Sequence, residues 1–253
     1  ADLKYVPQIQ QYYDYFYEHN ISVDMLPVDA DFSRYKILCA PVLYMVRGNM
    51  KESLEAFVRN GGILVLTYMS GIVGASDNVY LGGYPGPLRD LAGIWVEEID
   101  SLPPELHNEI HFSDGSHAEC NLVYDQIHLE GAETLGEYTR GFYAGTPSVT
   151  RNRFGNGSVY YIGTQPDKAG LTHILDQAAA ESQVHSLIPE ASELEISCRE
   201  SGDTRFYYLI NFSGKEQPVP KSLAGKTDLI TGVPSAAEDV LMPWDVKILA
   251  EAL

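Results

Sequence analysis

The chain opens on an apolar stripe. Tyr5, Ile9, Tyr12, Tyr13 and Phe16 recur at helical spacing and predict a helix over Leu3 to His19, with Asn20 as its C-terminal cap. Ile21 to Leu26 then reads as a strand, and Tyr35 to Ala40 as a second one. Pro41 ends it, having no N–H to give a ladder. Asn49 stands where an N-cap would, ahead of a helix over Met50 to Asn60 that Gly61-Gly62 stops. Ile63 to Leu66 is a short unbroken apolar run, fit for a strand buried on both faces. This order of helices and strands predicts a parallel sheet with crossover helices.

Beyond Leu66 the pattern breaks into a loop, Tyr68-Met69-Ser70-Gly71, and a segment too rich in Gly and Pro for regular structure, Gly82-Gly83-Tyr84-Pro85-Gly86-Pro87. A helical patch from Leu88 to Leu91 follows. Such post-strand loops in α/β sheets carry ligands or interfaces. Regular alternation returns in Ser148 to Phe154 and Ser158 to Ile162 around Gly155-Asn156-Gly157, a hairpin signal. Asp167 then caps a helix expected to reach about His185, with Leu171, Ile174, Leu175 and Ala178 on one face. After Pro189 the pattern changes to short strands only: Leu194–Arg199, Arg205–Phe212, Gln217–Pro220, Thr227–Ile230, Asp239–Leu241 and Val246–Ala250. They predict a small antiparallel sandwich. The expected architecture is an α/β domain over residues 1–188, an open, mostly parallel sheet with flanking helices, followed by an all-β antiparallel domain over 189–253.

Composition narrows the function. The 253 residues are 45% hydrophobic, enough for a sizeable core. Their net charge of −18 argues against nucleic-acid and anionic-membrane partners, which need Lys and Arg. No apolar run approaches the roughly 18 residues of a membrane span, and no leader pattern stands at the start. Cys39, Cys120 and Cys198 form neither a disulfide framework nor a zinc spacing. A reducing, cytoplasmic setting is expected, with no cofactor.

From Asp90 to Thr139 there are twelve Asp or Glu, four His and no Lys or Arg, which predicts a solvated edge. Within it His107, Glu109 and His111 share one strand face, with Asp114, His117 and Glu119 nearby. These are weak metal candidates, because no Cys or fixed spacing supports them. Gly82 to Gly86 is no phosphate cradle, lacking the Gly-Lys-Ser/Thr ending. The run Tyr12-Tyr13-Asp14-Tyr15-Phe16-Tyr17 offers either a sugar-stacking surface or core and interface, and its helical stripe favours the second.

Leu81-Gly82-Gly83-Tyr84-Pro85-Gly86-Pro87-Leu88-Arg89, with Gly93-Ile94-Trp95-Val96-Glu97-Glu98, resembles the non-catalytic middle domain of the family 42 glycoside hydrolases, the β-galactosidases. Tyr35 to Pro41, Gly141 to Pro147, Asn152 to Gly157 and Tyr160 to Thr164 extend the resemblance, and the all-β tail resembles the C-terminal domain of the same enzymes. The resemblance implies an amidotransferase-like fold that builds a homotrimer, and a catalytic TIM barrel carried elsewhere in the parent chain. A barrel needs about 250 residues of its own, and no position matches the family's two catalytic glutamates. The chain is therefore expected to be a fragment, without catalytic residues, of a retaining β-galactosidase acting on terminal β-D-galactosides. The family domain's opening strand is also missing. Two alternatives stay open. One is an amidotransferase-like hydrolase using Cys39, although Leu38 and Ala40-Pro41 stand where a Gly-x-Cys-x-Gly elbow is required. The other is a carbohydrate-binding module.

Overall fold

A computed structural model describes residues 4–103, 105–190 and 193–253. It divides into two compact units. One joins the residues up to Tyr12 with Leu26–Gln183, the other Tyr13–Met25 with Val184–Leu253.

Helix α1 (Tyr5–Glu18) contributes to both units. Leu3, where its start is expected, lies outside the described residues. Asn20 ends the helix as the pattern predicts. At φ 52° it lets Ile21 N–H reach the Phe16 carbonyl (2.9 Å) and its own N–H reach Tyr17 (3.1 Å), which satisfies two orphan carbonyls. The segment after it forms no strand. Ile21 to Leu26 alternates, but no neighbouring strand pairs with it, and a ladder needs a partner as well as a pattern.

The first unit is built on a nine-stranded sheet. Its strands are β1 (Ile37–Ala40), β2 (Ile63–Thr67), β3 (Ile94–Asp100), β4 (Asn108–Phe112), β5 (His117–Leu129), β6 (Glu133–Tyr138), β7 (Pro147–Phe154), β8 (Gly157–Ile162) and β9 (Thr164–Pro166). They run in the order β1-β2-β8-β7-β6-β4-β5-β3, with β9 against β5. The parallel arrangement expected from the sequence is found in β1, β2 and β8, and from β8 outward every pairing is antiparallel. Chemistry explains the division. The α2 helix (Met50–Arg59) gives β1 and β2 their crossover, whereas Gly155-Asn156 turns β7 directly back on β8.

Helix α2 buries Met50, Leu54, Phe57 and Val58 in a core with Leu64, Leu66, Leu91, Val96, Val159 and Tyr161. Asn49 does not cap it with its side chain. Its φ of −94° and ψ of 17° are far from the extended conformation that would aim the amide oxygen at the first turn. Asp167 does cap helix α4 (Lys168–Glu181), accepting from Gly170 N–H at 2.7 Å. Near its C-terminus Glu181 collects Arg153 (2.8 Å), Ser158 (2.6 Å) and Tyr160 (2.7 Å) of the β7–β8 hairpin. A 3₁₀ turn (Gly86–Leu88) leads into the one-turn helix α3 (Arg89–Ala92).

The acidic span from Asp90 to Thr139 is more than a solvated edge. It supplies β3 to β6, and Ile94, Val96, Ile110, Phe112, Tyr124 and Ile127 are buried there while the charged residues other than Asp125 lie toward the outer face.

In the second unit β10 (Glu195–Ser201), β11 (Thr204–Ile210), β13 (Thr227–Asp228) and β15 (Val246–Ala252) form one antiparallel sheet. A second pairs β12 (Gln217–Pro218) with β14 (Val240–Leu241). Leu194, Ile196, Leu209, Leu223, Leu241 and Leu249 fill the core.

Candidate assembly surface

The loops at the carboxyl ends of β1 and β2 each hold a non-glycine residue at positive φ. Val42 has φ 51° and Met69 φ 58°, both in the left-handed region, which a β-branched residue rarely enters. A hydrogen-bond relay offsets that strain. The Thr67 hydroxyl accepts from Val42 N–H (2.7 Å) and donates to the Tyr68 carbonyl (3.0 Å). Gly71 N–H reaches Leu43 (2.8 Å), and Ile72 N–H reaches Tyr44 (2.9 Å), so the two loops brace each other. Between them opens an apolar groove of about 560 Å³, whose walls include Val28, Tyr44, Met45 and Met69.

The Gly- and Pro-rich loop forms a clasp beside these turns. Gly71, at φ 63°, lies so close to Pro85 that a Cβ there would stand 2.1 Å from the Pro85 carbonyl oxygen. Tyr84 bridges Val96 through hydrogen bonds of 3.1 and 2.8 Å. Arg89 holds the loop from below. It donates to the Gly82 carbonyl (3.1 Å), pairs with Glu130, and lies over Trp95, whose ring stacks on His128 at 4.7 Å. The clasp presents Leu81 at its tip, 97% exposed, with Val79 beside it at 54%. Leu81 and Val79 together place two aliphatic side chains on the outer side of the clasp.

Cys39 lies within β1 and brings no nucleophilic chemistry to these loops. Burial pushes its thiol up to about 12, so it stays protonated at neutral pH. A thiolate-selective reagent at pH 8 is expected to leave Cys39 unmodified in the folded chain, as mapped by peptide mass spectrometry.

The metal candidates are divided between two places. In the β4–β5 register Glu109 faces Glu119 and His111 faces His117. The His111 and His117 rings stack at 4.6 Å, and Glu109 meets His117 Nδ1 at 3.4 Å and Arg140 at 3.9 Å. His107 precedes the strand, and Asp114 pairs with His173 at 3.4 Å. Among the described residues no group of three or more His, Cys, Asp or Glu is arranged to hold a metal ion. The aromatic run divides: Tyr12, Tyr15 and Phe16 are buried, while Tyr13 and Tyr17 stay partly open.

One group the sequence reading missed is Asp125 in β5. It is wholly buried, accepts from the Tyr161 hydroxyl at 2.7 Å, and leaves its second oxygen without a partner. Burial, opposed by the Tyr161 hydrogen bond, pushes its carboxyl up to about 8. The available signal was an Asp inside a strand, Leu122 to Ile127, that is otherwise largely apolar.

Residues 1–185 match the profile described as the β-galactosidase trimerisation domain, and residues 193–251 that of the β-galactosidase C-terminal domain. The chain belongs to the family 42 β-galactosidases. It comprises their trimerisation and C-terminal domains. β-Galactosidase LacA of Lactobacillus acidophilus is 43% identical over 249 residues, covering 98% of this chain and 37% of the relative. BgaB of a Geobacillus species is 41% identical over 214 residues, covering 85% of this chain and 32% of the relative. The crystal structure of the β-galactosidase from Bacillus circulans sp. alkalophilus superimposes with a TM-score of 0.94 at 38% identity, over 99% of this chain and 38% of that one. The family 42 chain therefore spans about a third of these relatives' lengths. No helix among the described residues is long and apolar enough to cross a membrane.

Proposed function

We propose that this family 42 chain is the non-catalytic assembly portion of a β-galactosidase, which joins parent chains into a homotrimer while a TIM barrel elsewhere in the parent hydrolyses terminal β-D-galactosides. The observation that carries the reading is the trimerisation-domain match over residues 1–185. In this reading residues 1–188 are the assembly domain, related in fold to class I glutamine amidotransferases, and 189–253 the C-terminal β domain. No residue of the chain serves as the acid/base or nucleophile, and none serves as a metal ligand.

A closed ring of three uses one heterologous contact repeated, so each copy needs two different complementary patches. The exposed Leu81 tip and the Met45–Met69 groove are two such patches, a projecting aliphatic group and an adaptable apolar recess. Size-exclusion chromatography with light scattering is expected to give three times the chain mass. Leu81→Asp, which changes no internal contact of the clasp, is expected to shift the species to monomer. A monomeric parent sequence at high concentration, or cleavage of a β-galactoside by this chain alone, contradicts the reading.

A further inference from the structure

The second unit carries a polar groove of about 180 Å³ between the last turns of α1, the Ile21–Asp24 segment and strand β10. That volume corresponds to about six water molecules, or one sugar ring. Tyr13 and Tyr17 line it four residues apart on α1, their rings near-parallel at 22° with centroids 6.0 Å apart. Glu195, Ser197 and Arg199 line it from alternate positions of β10, so all three side chains lie on one face of the strand. Ser22 and Asp24 line it from the Ile21–Asp24 segment.

We infer that this groove is a binding site for a single neutral pyranose ring. The aromatic faces are electron-rich and suit the weakly positive C–H face of a sugar. Around them stand the Glu195 and Asp24 carboxylates, the Arg199 guanidinium and the Ser22 and Ser197 hydroxyls, the mixture of acceptors and donors that neighbouring sugar hydroxyls require. Two carboxylates against one guanidinium disfavour an anionic ligand, and the guanidinium disfavours a cation, which leaves a neutral one. The site is braced before any ligand arrives. The Tyr17 hydroxyl donates to Glu195 at 2.9 Å, which fixes ring and carboxylate together. Burial and the Glu195 hydrogen bond push that phenol up to about 12, so it remains a donor at neutral pH. Asn20 fixes the wall opposite, its side-chain oxygen accepting from Ile196 N–H at 2.8 Å and its carbonyl from Leu187 N–H at 3.0 Å. The helical stripe uses Tyr12, Tyr15 and Phe16 for burial and leaves Tyr13 and Tyr17 to this groove. The inference does not rest on the assembly reading, since every groove residue belongs to the second unit and the readout below is independent of oligomeric state.

The test is an NMR titration of the full chain with methyl β-D-galactopyranoside and, separately, methyl β-D-glucopyranoside, following the tyrosine ring signals and saturation transfer to the sugar. Saturable binding of at least one sugar is expected with a Kd in the millimolar range, the scale for so small a ligand. Tyr13→Ala and Arg199→Ala are each expected to weaken it about tenfold, and Tyr13→Phe to retain it. Circular dichroism and the melting temperature check that each variant is folded. Arg199 is exposed, so its truncation leaves the unit's core intact. Absence of saturation with both sugars overturns the inference, as does saturation unchanged in both Tyr13→Ala and Arg199→Ala.

Discussion

Asp125→Asn is expected to become more favourable to the first unit by several kcal/mol between pH 4 and pH 8, because it removes the pH-dependent cost of ionising Asp125. Asp125 lies in the middle of β5, sealed from water, and the titratable groups facing it are the phenols of Tyr161, Tyr138 and Tyr68. No Lys, Arg or His forms an ion pair with it among the described residues. Its folded value of about 8 lies above the roughly 3.9 of an unfolded aspartate. Between those values the folded chain holds a proton that the unfolded chain has released, so stability falls as pH rises. The slope is about 1.4 kcal/mol per pH unit, which accumulates to about 4 kcal/mol at pH 7. Below pH 4 both states are protonated and the difference disappears. Asparagine keeps an acceptor for the Tyr161 hydroxyl and cannot ionise, so the variant loses the pH slope, while its amide N–H groups, standing where the carboxyl oxygen has no partner, add a pH-independent cost of about 1–3 kcal/mol. Urea midpoints measured from pH 4 to 9 give the answer. Parallel curves for the two proteins would mean that Asp125 is not held neutral in the fold. Tyr161→Phe is a poor substitute as a probe, because it also removes the carboxyl's one hydrogen bond.

How much of this was legible before the structure depends on whether the cause was local. The cap at Asp167, the turn at Gly155-Asn156 and the stop at Asn20 are decided within a few residues, and each is found where the pattern placed it. The all-β tail was legible for the same reason, since short strands and their turns alternate at regular spacing. What was not legible is decided by partners far along the chain. Ile21 to Leu26 alternates as a strand should, yet no ladder reaches it. In β3 to β6 the outward acidic residues masked the inward apolar ones, because a charge count averages over the two faces of a strand. Asp125 was hidden among these acids, although burial alone distinguishes it from Glu119 or Glu133. The candidate assembly surface divides the same way. The Gly-Pro composition announced a shaped loop, and only the structure showed which of its residues is thrust into water.

Gly83→Ala is the second large effect, and its neighbour provides the control. Gly82 and Gly83 have nearly the same backbone, at φ 96° and 93°, where any L side chain is strained by about 1–3 kcal/mol. They differ in what a Cβ would meet. At Gly82 there is nothing within 4 Å, whereas at Gly83 a Cβ would lie 1.7 Å from Trp95 Nε1 and 2.8 Å from the Val96 carbonyl oxygen. Trp95 cannot step aside cheaply, because His128 stacks on one side and Arg89 lies over the ring. The Val96 oxygen cannot move without breaking the bridge to Tyr84. Overpacking therefore adds about 1–3 kcal/mol to the shared strain. Gly82→Ala is expected to lower the urea midpoint modestly and leave the clasp in place. Gly83→Ala is expected to cost roughly twice as much or more and to shift the Trp95 emission to the red as the ring is expelled. Trp244 is already 72% exposed, so it contributes a constant background to that signal. The same substitution should abolish self-association, because the Leu81 tip is positioned only while the loop beneath it is closed against Trp95 and Arg89. Equal midpoints for the two alanine variants would show that the loop is free to open, and would remove the reason for assigning Leu81 to the contact.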